Sequence, residues 1–277
     1  MEGSARNIRI RRGYDLPISG GAGTRVERSA AVRRVAVLGS DYPGIRPSLN
    51  VAEGDPVSLG DTLFVDRKRE AIRFCAPGSG RVSAIRRGRR RALLAVVIDL
   101  EDSATTRRVE VPAGRIDGLA PDAVRDTLLR HGLWPALRMR PYGGLPDADA
   151  QAHALFVTAA DTEPLAPEPA PIIAAAADAF GAGLRVLARL HAGPLYLCTS
   201  PDFDVELPAV DRLQHVRFAG PHPAGLAGTH IHHLAPASEE RPAWHIGYQD
   251  VIAIGRLFGD GMLDMSRTVA VAGPAVA

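Results

Sequence analysis

Residues 51–63 read VAEGDPVSLGDTL, and residues 76–85 read APGSGRVSAI. The first stretch alternates loosely around two turns, Glu-Gly-Asp and Leu-Gly-Asp. Short runs broken by glycine and proline are the signature of strands joined by tight turns. Working outward, Val35–Val37 is an apolar strand candidate that ends at Gly39, Ile72–Phe74 leads into the second stretch, and Ala92–Leu100 reads as a buried strand. No segment of the first hundred residues carries a helical period. An all-β sandwich or barrel is expected there.

The remainder changes character. Pro121 and Asp122 open a helix whose apolar stripe is Val124, Leu128 and Leu129, with Gly132 placed to stop it. His153–Ala159 reads as a buried strand. Ile172, Ile173, Ala176, Phe180, Leu184, Leu187 and Leu190 recur at helical spacing, with Gly181 and Gly183 as candidate breaks. Strands follow at Pro194–Thr199 and Gln214–Ala219, then a helix at Tyr248–Phe258 and a last strand at Arg267–Ala272. Strands alternating with helices imply an α/β layer with a mainly parallel sheet. The expected organisation is α+β with two lobes, a β lobe over residues 1–110 and an α/β lobe over 111–277.

Composition narrows the function classes. The 277 residues are 46% hydrophobic and 23% charged, enough to bury a core. The longest apolar candidate, Pro171 to Leu184, is interrupted by Asp178, so no transmembrane helix is expected. The N-terminus lacks the apolar stretch of a secretory signal. Cys75 and Cys198 form neither a C-x-x-C pair nor an iron–sulfur ligand set, and a reducing compartment is expected. Residues 1–110 hold 21 of the 33 basic and 13 of the 31 acidic residues, a balance of +8, against −6 for residues 111–277. Opposite signs suggest lobes with different partners. Lys68 is the single lysine, so side-chain lysine chemistry rests on it.

Several motifs invite chemistry. V-x-E-G-D-x-V-x-x-G-D-x-L followed by A-P-x-S-G-x-V-x-x-I resembles the lipoyl/biotinyl barrel-sandwich fold, whose two β hammerheads turn on glycines because the turns need positive φ. Lys68 lies between the halves, where such domains carry a modified lysine. Its flanks, Arg67 and Arg69, are not those of modified domains, and packing alone is the competing reading. Gly20-Gly21-Ala22-Gly23 precedes no helix that could cradle a phosphate and reads as a loop. Arg86 to Arg91 form a basic cluster without interleaved aromatics, so a solvated or partner-facing turn is favoured over nucleic acid. Five of nine histidines fall in 222–245: His222, His230, His232, His233 and His245. Read as a strand, THIHH puts His230 and His232 on one face. The set fits a zinc site, a general acid/base, or a polar loop bonded to backbone.

A resemblance covers nearly the whole chain. RRGYDLPISG (11–20), SDYPGIRPSLNVAEGD (40–55), AIRRGRRRALLAVVI (84–98), HGLWPALRMRPYGGLP (131–146), FVTAADTEPLAPEP (156–169), GPHPAGLAGTHIHHL (220–234) and WHIGYQDVIAIGRLF (244–258) occur in the order seen in the A subunit of the sodium-translocating NADH:quinone oxidoreductase (Na+-NQR). This sequence differs in having arginine where that family has many lysines, and in stopping at VAVAGPAVA where the family continues. The resemblance implies a peripheral subunit on the cytoplasmic face of the bacterial inner membrane. Its partners would be the other subunits, especially one embedded in the membrane, and these hold the flavins and iron–sulfur centres. It implies support of electron transfer from NADH to ubiquinone coupled to sodium export, with NADH oxidised on another subunit.

The α/β lobe is also distantly similar to the Rossmann-like flavin-binding domain of the complex I flavoprotein that oxidises NADH, and to the C subunit of the Rnf complex. Their glycine-rich loop corresponds to Gly132–Pro141, where Ala136, Leu137, Arg138 and Met139 replace glycines. Thr158–Pro164 matches their following strand end and keeps Glu163-Pro164. This implies a flavin scaffold that binds no flavin, with Arg138 and Arg140 as candidates for an anionic site. The chain is expected to hold no cofactor of its own. Candidates for contact with ubiquinone are His222, His230, His232, Trp134 and Tyr142. The competing readings are a soluble zinc enzyme using His222, His230 and His232, and a carrier domain modified on Lys68.

Overall fold

A computed structural model of the chain describes residues 6–21, 23, 25–27, 31–101 and 106–272. Of the Gly20–Gly23 loop, Ala22 lies outside the described residues.

The β lobe follows from a repeated turn. Strands β1 (Arg6–Arg9), β2 (Arg34–Leu38), β3 (Pro47–Leu49), β4 (Pro56–Val57), β5 (Thr62–Asp66), β6 (Arg69–Cys75), β7 (Gly80–Arg87), β8 (Leu93–Leu100) and β9 (Thr106–Arg108) come first. Before β4, Asp55 accepts the Ala52 N–H at 2.8 Å; before β5, Asp61 accepts the Ser58 N–H at 2.8 Å. Gly54 (φ +94°) and Gly60 (φ +87°) supply the left-handed residue that each turn needs. The same turn used twice folds β2, β8, β7 and β4 into one antiparallel sheet and β3, β5 and β6 into another. Phe64 of β5 stacks on its cross-strand partner Phe74 of β6 at 4.5 Å, and Tyr42 packs edge-on to Phe74 at 4.6 Å.

The α/β lobe contains α1 (Pro121–Arg130), β10 (Arg138–Arg140), β11 (Ala154–Ala159), α2 (Pro169–Ala174), α3 (Ala177–Leu190), β12 (Leu195–Thr199), β13 (Leu213–Ala219), α4 (Ala227–Leu234), β14 (Ala243–Gly247), α5 (Tyr248–Asp260) and β15 (Met262–Asp264). Its sheet runs β1-β13-β12-β11-β14-β10. All pairs are parallel except β10 with β14. The order β13-β12-β11-β14 is that of a doubly wound dinucleotide fold, with its topological switch between β11 and β14. Side chains alternate by face. Leu155, Val157 and Ile246 join the core under α3 and α5, and this core continues into the β lobe. Ala154, Phe156 and Ala243 face Ile231 of α4.

Two strands cross the boundary drawn at 110/111. β1 pairs with β13, Arg6 opposite Val216 and Ile8 opposite Phe218. β9 pairs antiparallel with β15. The hairpin carrying Lys68 is also tied across: Arg69 holds Asp66 at 2.7 Å and donates to the Leu145 carbonyl at 2.8 Å.

Three sequence expectations are corrected. Residues 267–272 form no strand. Gln249 accepts the Thr268 N–H at 2.8 Å and donates to its carbonyl at 2.9 Å, so a side-chain amide takes the place of a neighbouring strand. Val269 and Val271 stay exposed. THIHH is part of α4, not a strand. Parallel β13 and β14 need a crossover, and so short a run is too little for period to distinguish helix from strand. The helical run from Ile172 breaks at Ala175–Ala176, not at Gly181 or Gly183. Those glycines lie inside α3. At Gly183 a side chain would overlap the Val251 carbonyl of α5, and at Gly255 of α5 one would overlap the Ala179 carbonyl. The helices touch backbone to backbone.

Gly255→Ala is therefore expected to cost about 3 kcal/mol by overpacking. Gly259→Ala, in the same helix with open space around it, is expected to stabilise by up to about 1 kcal/mol. Urea unfolding of both variants checks the contrast, and equal effects would contradict the close crossing.

Candidate functional site

The loop after α1 decides what this scaffold can hold. Gly132 adopts φ +70° and passes against β6; a side chain there would stand 2.6 Å from Cys75 Sγ. Trp134 and Leu137 are fully buried. The Trp134 indole N–H donates to the Pro146 carbonyl at 3.0 Å, and its ring meets Trp244 edge-on at 5.7 Å. Four of the loop amides bond within the loop and its neighbours. Leu133 donates to Leu128, Ala136 to Leu133, Leu137 to Trp134 and Met139 to Gly144, at 2.8–3.2 Å. Pro135 has no N–H. A flavin phosphate needs several convergent free amides, and this loop does not fit one.

Beside the loop lies a cavity of about 450 Å³ between the lobes. The β lobe contributes Val37, Asp41, Tyr42 and Phe74. The α/β lobe contributes Leu133, Arg138, His245, Ile246, Gly247, Asp250 and Arg267. Gly247 ends β14 and Asp250 sits in the first turn of α5, so the cavity opens at the carboxyl end of a parallel strand beside the switch point, where α/β folds place ligands. The Arg138 guanidinium lies 5.2 Å from the Tyr42 ring centroid and donates to the Asp41 carbonyl at 3.1 Å. Arg267 pairs with Asp250 at 2.7 Å. Burial raises the Tyr42 phenol above its usual pKa. His245 stands opposite Arg138 in the β14–β10 ladder, and its buried Nε2 has no hydrogen-bond partner among the described residues. Burial, then the charges of Arg140 and Arg138, push its pKa down to about 4, so it is neutral at pH 7.

The residues singled out from sequence do not gather in one place. His222 is bonded to the hydroxyl and carbonyl of Thr162 at 3.0 and 3.1 Å, pinning the loop after β11. His230 is fully buried in α4; its Nε2 lies 2.8 Å from the Ala224 carbonyl, and its ring is 4.3 Å from Phe218. His232 is exposed on the same helix. Trp134 is core. Tyr142 is 73% exposed, 3.3 Å from Glu239. Arg138 lines the cavity, while the buried Arg140 Nε has no hydrogen-bond partner among the described residues. The zinc reading fails on this geometry: among the described residues no three His, Cys, Asp or Glu side chains are grouped to hold a metal ion. Tyr42 and the Asp250–Arg267 pair were not foreseen, and His245 was picked out only as a member of the histidine cluster. They lie far apart in the chain, and no local spacing connects them. Among the described residues, no helix is long and apolar enough to cross a membrane.

Two family models match the chain. "NqrA N-terminal barrel-sandwich hybrid domain" matches residues 8–101, and "NqrA second alpha/beta domain" matches residues 119–263. Curated proteins named as the A subunit of the "Na(+)-translocating NADH-quinone reductase" are similar throughout. That of Pseudomonas aeruginosa (strain UCBPP-PA14) is 46% identical over 269 residues, 97% of this chain and 60% of the relative. That of Shewanella frigidimarina is 47% identical over 267 residues, 96% of this chain and 60% of the relative. That of Pasteurella multocida is 45% identical over 269 residues, with 97% and 60% covered. The chain spans about three-fifths of the length of these relatives.

Burial holds His191, His230 and His245 each at about 4, below the ordinary 6.5. The unfolded chain therefore takes up protons first. Stability from these groups is complete above about pH 6.5 and is lost as pH falls toward 4. Urea midpoints should drop across that window, and His230→Gln should flatten the slope. A pH-independent midpoint between about pH 7 and 4 would contradict the burial of neutral histidines.

Proposed function

The chain belongs to the NqrA family, the A subunit of the sodium-translocating NADH-quinone reductase, and from that premise we propose that it is the peripheral, cytoplasmic-face subunit of such a complex. In this reading it supports electron transfer from NADH to ubiquinone coupled to sodium export. It docks on the other subunits, one of them embedded in the membrane. Flavins, iron–sulfur centres and NADH oxidation belong to those partners, and the isolated chain does not turn over NADH.

The observation that carries the reading is the state of the loop after Gly132. Four of its amides are spent on Leu128, Leu133, Trp134 and Gly144, and Trp134 and Leu137 fill the space beneath it. A scaffold of the flavoprotein kind has there become packing between lobes, which suits a docking role rather than redox chemistry.

The part of this chain that suits a quinone headgroup is the inter-lobe cavity, not the histidines of α4. Val37, Phe74, Leu133 and Ile246 offer apolar wall for a ring. The Tyr42 hydroxyl and neutral His245 offer hydrogen bonds for a carbonyl, and Arg138 adds positive charge where a reduced quinone gains electron density. Tyr42 and His245 bind and orient; neither is asked to carry electrons.

Two measurements test this. The visible spectrum of the purified chain should show no flavin bands, and a flavin at near-unit occupancy would overturn the loop reading. In the assembled complex, Tyr42→Phe and His245→Gln should each raise the quinone KM about fivefold, the worth of one hydrogen bond. NADH-dependent reduction of an artificial acceptor should stay unchanged. An unaltered quinone KM in both variants would remove the cavity from the quinone path.

A further inference from the structure

The N-terminal segment leaves the α/β sheet in an unusual state. β1 is an edge strand, and from it the chain runs through Arg9, Ile10, Arg11 and Arg12. These residues form one wall of an open groove whose other wall is Pro223, Gly228, Thr229, His232 and His233, before and along α4. Arg9, Arg11, Arg12, His232 and His233 are exposed. Among the described residues none of the three arginines has a carboxylate within salt-bridge distance. Asp15 is the single acid between residues 3 and 26, and its carboxylate accepts the His222 N–H at 2.7 Å. The patch is basic, with its nearest acid in sequence already engaged.

Apolar side chains stand directly beside it. The Tyr14 N–H donates to the His222 carbonyl at 2.9 Å, which fixes this segment next to Pro223 at the groove's rim. From there Tyr14, Leu16 and Ile18 are 68%, 56% and 50% exposed. They alternate along an irregular stretch that bears no strand partner among the described residues. Leu226, which precedes α4, is also exposed.

We infer that this face binds the anionic headgroups of a phospholipid surface, with Arg9, Arg11 and Arg12 on the phosphates and Tyr14, Leu16 and Ile18 entering the interfacial layer. Arginines flanking single protruding aromatic and aliphatic side chains are what an interfacial anchor needs. An acidic protein partner would meet the same charge, but stable protein interfaces close over a contiguous apolar core. Here the apolar side chains project singly from one segment, and the groove beside the arginine wall is open. The inference goes beyond docking on protein partners and is tested on the full chain alone.

The experiment is co-sedimentation with vesicles of phosphatidylcholine, and of phosphatidylcholine mixed with phosphatidylglycerol. The chain should bind the anionic vesicles, and salt at about 0.5 M should release it. Arg9→Gln, Arg11→Gln and Arg12→Gln combined should weaken binding on the order of a hundredfold, about fivefold for each arginine. Tyr14→Ser, Leu16→Ser and Ile18→Ser combined should also weaken it while keeping the salt dependence. Both sets lie on exposed positions, and circular dichroism checks that the variants fold. Equal binding to both vesicle types, or anionic binding undiminished in the arginine variant, would overturn the inference. Capture of the chain by polyglutamate but not by anionic vesicles would overturn it in favour of an acidic protein partner.

Discussion

The turn at Gly132 must pass within contact distance of the Cys75 side chain, and most of the molecule follows from that approach. Its φ of +70° and the lack of room for a Cβ make glycine the residue that permits it. With the turn in place, α1 abuts β6, Trp134 and Leu137 enter the shared core, and the two lobes are joined by packing rather than by a linker. Burying an aromatic of this size contributes on the order of 2–3 kcal/mol. The exposed ion pairs of the β lobe, such as Arg34 with Asp99, contribute little by comparison. The Asp66–Arg69 pair at the seam differs: Asp66 is fully buried and also accepts the Arg46 and Lys68 amides, so removing its partner would strand a charge.

The same approach explains the site. A flavoprotein-type loop works by offering its amides to a phosphate, and here those amides close onto their own turn. What remains open is the space behind the loop, walled on one side by Tyr42 and Phe74 and on the other by the end of β14. Neither lobe makes this cavity alone. Keeping His245 neutral there follows from burial and two neighbouring guanidinium groups, so the site holds a hydrogen-bonding group without adding another cation.

Much of this was legible in sequence where the determinant was local. Gly54 and Gly60 announce their turns because few other residues accept such φ values, and Pro121 with Val124 and Leu128 announces α1. The strands β11, β12 and β13 were legible from their apolar runs, and the barrel-sandwich and α/β lobes from motif order. Determinants that are distant in the chain were not. The pairing of Arg6–Arg9 with Val216–Ala219 spans most of the protein. Gly181 and Gly183 looked like helix breakers because their reason for being small lies elsewhere: Pro208 crowds the first, and the backbone of α5 crowds the second. Val269 and Val271 imitated a strand, yet the segment is held by one glutamine side chain. The five histidines attracted attention as a cluster in sequence, yet α4 sends His230 inward and leaves His232 in solvent.

The loop after Gly132 is closed on itself and serves as packing between lobes, and residue-resolved hydrogen exchange tests this most directly. If the amides of Leu133, Leu137 and Met139 exchange as slowly as those of β11, the loop's donors are committed as described. If they exchange at the rate of exposed turns, the loop is open and its amides are free for a ligand, which contradicts its role as packing.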